Sequence, residues 1–157
     1  MTTTIVRAEP GDAAAILAIQ KLAFESEALA CDEWDIPPLQ ETVDMVREHI
    51  ETAVVLKALE DGQLIGSIRG LPRDGACFIR ALGVAPNAQG RGIGSALLGA
   101  IERAHPDVSA FELNTNQRMA ANVRFYLRHG YAIVETQRLS PKITLELMRK
   151  TVGEARA

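Results

Sequence analysis

Two Asp-Gly pairs, at positions 61–62 and 74–75, constrain the fold of this chain more than any other feature of its sequence. An Asp-Gly pair favours a tight hairpin turn, because both central residues of a type I′ turn need positive φ angles. Apolar and β-branched residues flank the two pairs at 53–59, 63–70 and 77–84, and such runs are typical of strands. The sequence therefore predicts an antiparallel meander of three strands over residues 53–84.

Helical periodicity appears on both sides of this meander. Asp12 is a good N-cap, and the apolar residues after it recur at helical spacing. Pro37-Pro38 then stops any helix, and a second helix is predicted over 39–51. Downstream of the meander, one helix is predicted from the apolar stripe of residues 93–104 and another over 118–129. The remaining strands are predicted at 3–9, 108–113, 131–139 and 142–149.

The predicted order of elements is β-α-α-β-β-β-α-β-α-β-β. Antiparallel hairpins precede two helical crossovers, which is typical of a mixed, mostly antiparallel sheet with helices on both faces. We therefore predict an α/β (α+β) fold with about seven strands. A chain of 157 residues fits one core, so residues 1–157 are expected to form a single domain.

The composition narrows the class of protein. The 17 Lys and Arg against 20 Asp and Glu give a formal charge of −3, which argues against a nucleic-acid binder because such proteins usually carry a basic excess. No apolar stretch approaches the roughly 20 residues that cross a bilayer, and no signal peptide is visible. Cys31 and Cys77 form no metal motif or disulfide scaffold, and neither has a neighbouring His that would activate it. We expect a cytoplasmic protein with no metal, no membrane partner and no nucleic-acid partner.

A glycine-rich loop, Gln-Gly-Arg-Gly-Ile-Gly-Ser, spans residues 89–95 between the third meander strand and a helix. The first N–H groups of a helix have no internal partner and lie at the positive end of its dipole, and glycines let a ligand approach the backbone. This pattern predicts a phosphate or pyrophosphate site, to which Arg91 could add a countercharge. The P-loop triplet Gly-Lys-Ser/Thr is missing, as is the final glycine of the dinucleotide fingerprint. A nucleotide-binding protein therefore stays open only as an alternative.

Two blocks of the sequence resemble the GNAT family of N-acetyltransferases. The acyl-CoA loop of that family reads Gln/Arg-x-x-Gly-x-Gly/Ala, and residues 89–94 match it after a strand that ends at 82–84. The second block of the family is an Asn, a Tyr four residues later and then a Gly-aromatic pair, which correspond to Asn122, Tyr126 and residues 130–131. The predicted order of strands and helices is also similar to the GNAT fold.

The resemblance implies an acetyl-CoA-dependent N-acetyltransferase, in which a primary amine attacks the donor directly in a ternary complex. It implies that Asn122 contacts the cofactor and that Tyr126 is the general acid toward the CoA thiolate. A thiol is more acidic than a tyrosine, so Tyr126 would act by donating a hydrogen bond. The other cofactor-binding residues that the resemblance implies lie on the fourth strand and the loop: Leu82, Gly83, Val84, Gln89, Gly90, Arg91, Gly92, Ile93, Gly94 and Ser95.

The general base is less well defined by the sequence. Many GNAT enzymes use a Glu on the fourth strand, but residues 77–82 contain no acid. Glu27 and Glu33 are the retained candidates, Glu25 and Glu112 are further acids, and a water relay is an equally good alternative. A non-catalytic acyl-CoA-binding module of the same fold is a second alternative, which the missing strand acid supports.

The sequence gives two conflicting indications of the acceptor. Five acids and no base lie between residues 25 and 35, which favours a cationic acceptor. Arg69, Arg73 and Arg80 could instead bind a carboxylate, which would suit an amino acid. The acceptor is therefore expected to be a small-molecule or peptide amine of undetermined identity. Small domains with an exposed sheet edge often pair through it, so a homodimer is one expected assembly.

Overall fold

The computed structural model describes residues 2–152 of the chain. Its strands are β1 (Thr3–Arg7), β2 (Val54–Glu60), β3 (Gln63–Arg73), β4 (Ala76–Val84), β5 (Ala110–Asn116), β6 (Ala132–Arg138) and β7 (Thr144–Thr151). Its α-helices are α1 (Ala13–Cys31), α2 (Pro37–Gln40), α3 (Val43–Thr52), α4 (Ile93–Arg103) and α5 (Ala120–Arg128). Short 3₁₀ turns at Pro10–Asp12 and Pro86–Ala88 precede α1 and the glycine-rich loop.

The strands form one sheet in the spatial order β1-β2-β3-β4-β5-β7-β6. Only β4 and β5 pair in parallel, whereas every other neighbouring pair is antiparallel. The β7 strand lies between β5 and β6, so the last hairpin folds back into the sheet beside β5. The predicted mixed, mostly antiparallel sheet of seven strands is confirmed, and so is the order of elements apart from the additional short helix α2.

Both Asp-Gly pairs adopt the hairpin geometry that their sequence predicts. Asp61 and Gly62 have φ angles of 51° and 78°, and Asp74 and Gly75 have the same two values. The first turn joins β2 to β3, and the second joins β3 to β4. Because each turn connects adjacent antiparallel strands, the meander predicted over residues 53–84 is present.

The start of α1 and the Pro-Pro segment differ in detail from the prediction. Asp12 occupies the N-cap position of α1, but its carboxylate accepts hydrogen bonds from the Glu9 backbone N–H and from Lys57 Nζ instead of capping the helix. Pro37 and Pro38 were predicted to stop any helix, yet they form the first turn of α2. Proline is tolerated there because the first helical N–H groups need no intrahelical partner.

The main core lies between the sheet and α4. Its fully buried side chains include Ile68 of β3, Leu97, Leu98 and Ile101 of α4, and Phe111 of β5. A second apolar cluster packs α1 and α3 against the sheet, with Ile16, Leu17, Val46 and Ile50. Side chains alternate between the two faces of a strand. From Gly66 to Gly70, even-numbered positions of β3 therefore face α4, and odd-numbered positions such as Arg69 face α1.

No helix in the described part of the chain is long and apolar enough to cross a membrane.

We predict that Gly70→Ala destabilises the fold by overpacking the contact between β3 and α4. A Cβ at position 70 would lie 2.7 Å from both Cys77 Sγ and the His105 ring and 3.2 Å from Ile101. Extra atoms in a packed core cost about 1–3 kcal/mol. Urea unfolding measures this loss as a lower midpoint. Gly11→Ala is the control, because a Cβ at position 11 meets nothing within 4 Å, and equal midpoints for the two variants would contradict the prediction.

Candidate active site

The candidate site is a cleft that opens where β4 and β5 separate. The two strands pair only at Cys77–Phe111 and Phe78–Glu112, near their amino-terminal ends. Beyond these pairs β5 continues along β7, while β4 stays with β3. The resulting cleft has a volume of about 1140 Å³ and is lined by α1, α5, both separating strands and the glycine-rich loop.

A β-bulge on β4 lies at the point of separation. Ser67 pairs with Gly83 and Arg69 pairs with Arg80, so β4 has one more residue than β3 between these two pairs. Ala81, in the bulge, has a φ of 56°, which is uncommon for a residue with a side chain. A bulge bends its strand and leaves the extra residue out of the ladder. The edge of β4 at Leu82 and Gly83 therefore faces the cleft instead of another strand.

The glycine-rich loop presents free backbone N–H groups to the cleft. Gly90 and Gly92 have φ angles of 79° and 80°, and a Cβ at either position would meet nothing within 4 Å. Gly92 is the N-cap of α4 and offers no capping side chain, and the first bond of the helix runs from Ala96 N–H to the Gly92 carbonyl. The N–H groups at positions 93–95 consequently lack intrahelical partners at the positive end of the dipole. The geometry suits a phosphate group.

Side chains of the loop mainly hold it in place. Gln89 Nε2 donates to the Val84 carbonyl at 3.1 Å. Ser95 Oγ lies 3.0 Å from His129 Nε2, which ties the start of α4 to the end of α5. The Arg91 guanidinium pairs with both carboxylate oxygens of Glu60, at 3.2 and 2.9 Å, and does not line the cleft. The countercharge expected from Arg91 is therefore directed away from the cleft.

Asn122 and Tyr126 lie one helical turn apart on α5, and both line the cleft. The Tyr126 ring packs edge-on against Phe125 and Tyr131, with centroid distances of 5.1 and 5.9 Å. Burial raises the pKa of Tyr126, and the nearby charge of Glu27 raises it further. The hydroxyl therefore keeps its proton at neutral pH and can donate a hydrogen bond into the cleft.

Of the two candidate bases, Glu27 lines the cleft and Glu33 does not. Burial raises the pKa of Glu27, and a hydrogen bond from the Asn116 side chain partly opposes this effect. The Glu33 carboxylate lies 4.0 Å from Lys142 Nζ, on the connection between β6 and β7. The structure therefore brings Glu27, but not Glu33, together with Tyr126.

Asn116 is a site residue that the sequence reasoning missed. It is buried at the end of β5, and it contacts both Glu27 and Cys31, whose Sγ lies 3.1 Å from the amide nitrogen. The predicted strand ended at residue 113, whereas β5 extends to Asn116, so the prediction left this residue outside the strand.

A buried polar network in the wall of the cleft was also missed. Arg69 Nη2 donates to Glu41 Oε1 at 2.6 Å and to Gln20 Oε1 at 2.9 Å, and Gln20 Nε2 donates to the same Glu41 oxygen at 2.8 Å. Burial disfavours ionisation of Glu41, but the hydrogen bonds from Gln20 and Arg69 outweigh it and hold its pKa below the usual range. Local periodicity does not reveal such a network, since its members come from three separate elements.

The two cysteines are unsuited to carry an acyl group. Cys77 is fully buried in the core, and burial raises the pKa of its thiol to about 11. Cys31 is also buried, beside the Asn116 amide. Within residues 2–152, no group of three or more His, Cys, Asp or Glu is placed to hold a metal ion.

Comparison with known proteins relates this architecture to that of acetyltransferases. The model of the Acetyltransferase (GNAT) family matches residues 14–131. The ribosomal-protein-S18-alanine N-acetyltransferase of Escherichia coli superposes with a TM-score of 0.79 and 18% identity, over 98% of this chain and 97% of the other. The yncA protein of Salmonella typhimurium, solved with its cofactor acetyl-CoA, gives a TM-score of 0.76 and 20% identity over 98% and 96%. The PaiA N-acetyltransferase of Thermoplasma acidophilum, in complex with coenzyme A, gives 0.73 and 14% over 97% and 100%.

These similarities differ in what they show. At such low identities, the solved structures show a shared fold. No curated protein matches the sequence of this chain. The family match covers well over half of the chain, so the chain belongs to the GNAT acetyltransferase family. The predicted family and the predicted enzyme class, an acyltransferase, are confirmed.

Proposed function

We propose that the protein transfers an acetyl group from acetyl-CoA to a primary amine, by direct attack in a ternary complex. The observation that carries this proposal is the cleft between β4 and β5. It joins the anion-binding start of α4 to the side chains of Glu27 and Tyr126. A donor with a phosphate group at one end and a reactive acyl group at the other fits this arrangement.

The residues of the cleft fit acetyl-CoA as the donor. The open space beside Gly90 and Gly92 leaves room for a pyrophosphate against the backbone N–H groups of 89–95. The unpaired edge of β4 at 82–84 would hydrogen-bond the pantetheine arm as an added strand does, and Asn122 would contact the same arm. Two structural neighbours were solved with acetyl-CoA or coenzyme A, which supports this choice.

Acetyl-CoA supplies a thioester with an electrophilic acetyl carbon and a thiolate leaving group. The protein must accept a proton from the attacking amine, and we assign this role to Glu27. Its raised pKa makes it a stronger base than an ordinary glutamate. Asn116 holds the carboxylate in position by its hydrogen bond.

Tyr126 would stabilise the leaving sulfur by donating a hydrogen bond from its hydroxyl. Because its pKa is raised, full proton transfer to a thiolate of pKa about 8.5 is unfavourable. In this proposal Tyr126 acts as a hydrogen-bond donor, as expected from the sequence, and the thiolate takes its proton from water.

The test is a panel of amines with acetyl-CoA, in which a thiol reagent reports released CoA. Release that depends on an amine, with matching N-acetylated product in the mass spectrum, supports the proposal. Tight CoA binding without release for any amine would instead support the non-catalytic module. Binding of ATP or NAD without CoA would support the nucleotide-binding alternative.

We predict that Gly92→Ala weakens CoA binding. A left-handed residue with a side chain costs about 1–2 kcal/mol, so the loop would relax and binding would have to restore its shape at that cost. Calorimetry should then give a Kd for CoA roughly 5- to 30-fold higher. Gly75→Ala is the control, because Gly75 has a φ of 78° but lies outside the cleft. An equal effect of both variants on the Kd would contradict the role of the loop.

Tyr126→Phe should lower kcat while leaving the Kd for CoA nearly unchanged. A lost hydrogen bond to a charged group costs about 1.5–3 kcal/mol, which corresponds to a roughly 10- to 150-fold slower reaction. Tyr131→Phe is the control, since its hydroxyl donates to Glu102 at 2.7 Å and does not line the cleft. An unchanged kcat for the Tyr126 variant would remove this residue from the chemistry.

Glu27→Gln should lower kcat by roughly 10²- to 10⁴-fold, as is typical for loss of a general base. Glu27 acts only above its pKa, so in the wild type kcat falls as the pH drops through that raised value. In the variant this acid limb disappears, and only the ionisation of the amine remains in the profile of kcat against pH. Glu25→Gln, on an exposed position of the same helix, is the control. A wild-type acid limb that persists in the Glu27 variant would favour the water relay.

The homodimer expected from an exposed sheet edge stays a prediction. We propose β6 as that edge, because all seven of its residues are exposed, including Ile133 and Val134. Sedimentation velocity would give the oligomeric state.

A further inference from the structure

The cleft contains positive charge that the protein neutralises only in part. Arg69 and Arg80 are direct partners across β3 and β4, so their side chains leave the same face of the sheet. Both line the cleft. Arg69 is only 4% exposed, and its Nη1 is buried without a hydrogen-bond partner. A buried guanidinium nitrogen with unused donors indicates a missing acceptor.

Charges around this pair leave a net positive site. Glu41 neutralises one guanidinium, that of Arg69, at 2.6 Å. His49 also faces Glu41, but burial and the charge of Arg69 lower its pKa, so it is neutral at pH 7. Arg80 is half-buried and forms no ion pair with any residue of the described chain. Arg73, which also lines the cleft, stacks on Phe78 at 4.5 Å instead of pairing with an acid.

The acidic segment 25–35 does not compensate this charge. Asp32 and Glu33 lie toward Lys142, at 3.6 and 4.0 Å, outside the cleft. Glu25 and Asp35 are exposed and do not line the cleft either. Glu27 is the one acid of this segment that lines the cleft, and it is the candidate base. The conflict between the two sequence indications is thereby resolved in favour of the arginines.

The positive site and the candidate base lie along the same face of α1. Gln20, which contacts Arg69, and Glu27 are seven residues apart, which is two helical turns and about 10 Å. Arg80 also directly precedes the β4 bulge, and it lines the same cleft as Tyr126. A short acceptor can therefore place an amine near Glu27 and a negative group near Arg80.

Resting on the proposed function, we propose that the acceptor is an amine that also carries a carboxylate, as free amino acids do. Arg80 contacts the carboxylate directly, in the bidentate geometry that a guanidinium offers. Arg69 lies behind it and adds positive potential, while Glu41 and Gln20 hold Arg69 in place. A peptide amine lacks this nearby carboxylate, because an amide replaces it.

The experiment compares matched acceptors: free L-amino acids, the corresponding amino-acid amides and the decarboxylated amines. Rates are normalised to the free-base amine, because the three groups differ in amine pKa. We expect kcat/KM for the preferred amino acid to exceed that for its amide and its amine by roughly 10- to 150-fold, the value of one charge-assisted hydrogen bond. Equal or higher values for amides, amines or peptides would overturn the proposal while leaving the acetyltransferase function intact.

The variant Arg80→Gln tests whether this residue causes the preference for acceptors that carry a carboxylate. It should raise the KM for the amino acid much more than the KM for the matched amine, and Arg80→Lys should recover part of the difference because it keeps the charge. Arg103→Gln, which removes an exposed arginine on α4 outside the cleft, is the control and should change neither. An unaltered preference in Arg80→Gln would exclude the assigned contact. If no amine of any kind released CoA, the proposed function itself would fail.

Discussion

The parting of β4 from β5 is the constraint on which the candidate site depends. Two parallel pairs hold the strands together at Cys77 and Phe78, and α4 seals the core beneath them. After that point, the bulge at Ala81 directs β4 away from the strand it would otherwise continue to pair with. Unpaired backbone groups inside a protein need partners. A sheet that opens in this way consequently leaves a strand edge that suits an extended ligand.

The cleft that results is lined by positive groups from two parts of the fold. One is the start of α4 with its free N–H groups, and the other is the pair Arg69 and Arg80. Glu27 and Tyr126 line the same cleft, and burial raises the pKa values of both. Titratable groups with shifted pKa values in one cleft are typical of functional sites. Under the proposed function, the two positive groups would bind the negative groups of the two substrates.

Features that depend on neighbouring residues were predictable from the sequence. The two Asp-Gly turns and the loop at 89–95 follow from short-range geometry, and the family resemblance implied Asn122 and Tyr126. The structure places the turns as predicted, and it places the loop and both side chains at the cleft. The bulge at Ala81 was not predictable, because no glycine or proline marks it. The choice between Glu27 and Glu33 also required the fold. Glu27 contacts Asn116 and Glu33 lies near Lys142, and both partners are remote in sequence from these acids.

The buried pair of Arg69 and Glu41 is more informative about function than about stability. Removing two charges from water costs several kcal/mol per ion, and well-packed apolar side chains of similar size are often equally stable or better. An apolar pair at these positions would also leave no unpaired guanidinium nitrogen in the interior. The pair makes physical sense if its net effect is to fix a positive group beside Arg80, at the edge of the cleft. The cost of the buried charge would then be offset when a negative group binds, as the carboxylate of the proposed acceptor would.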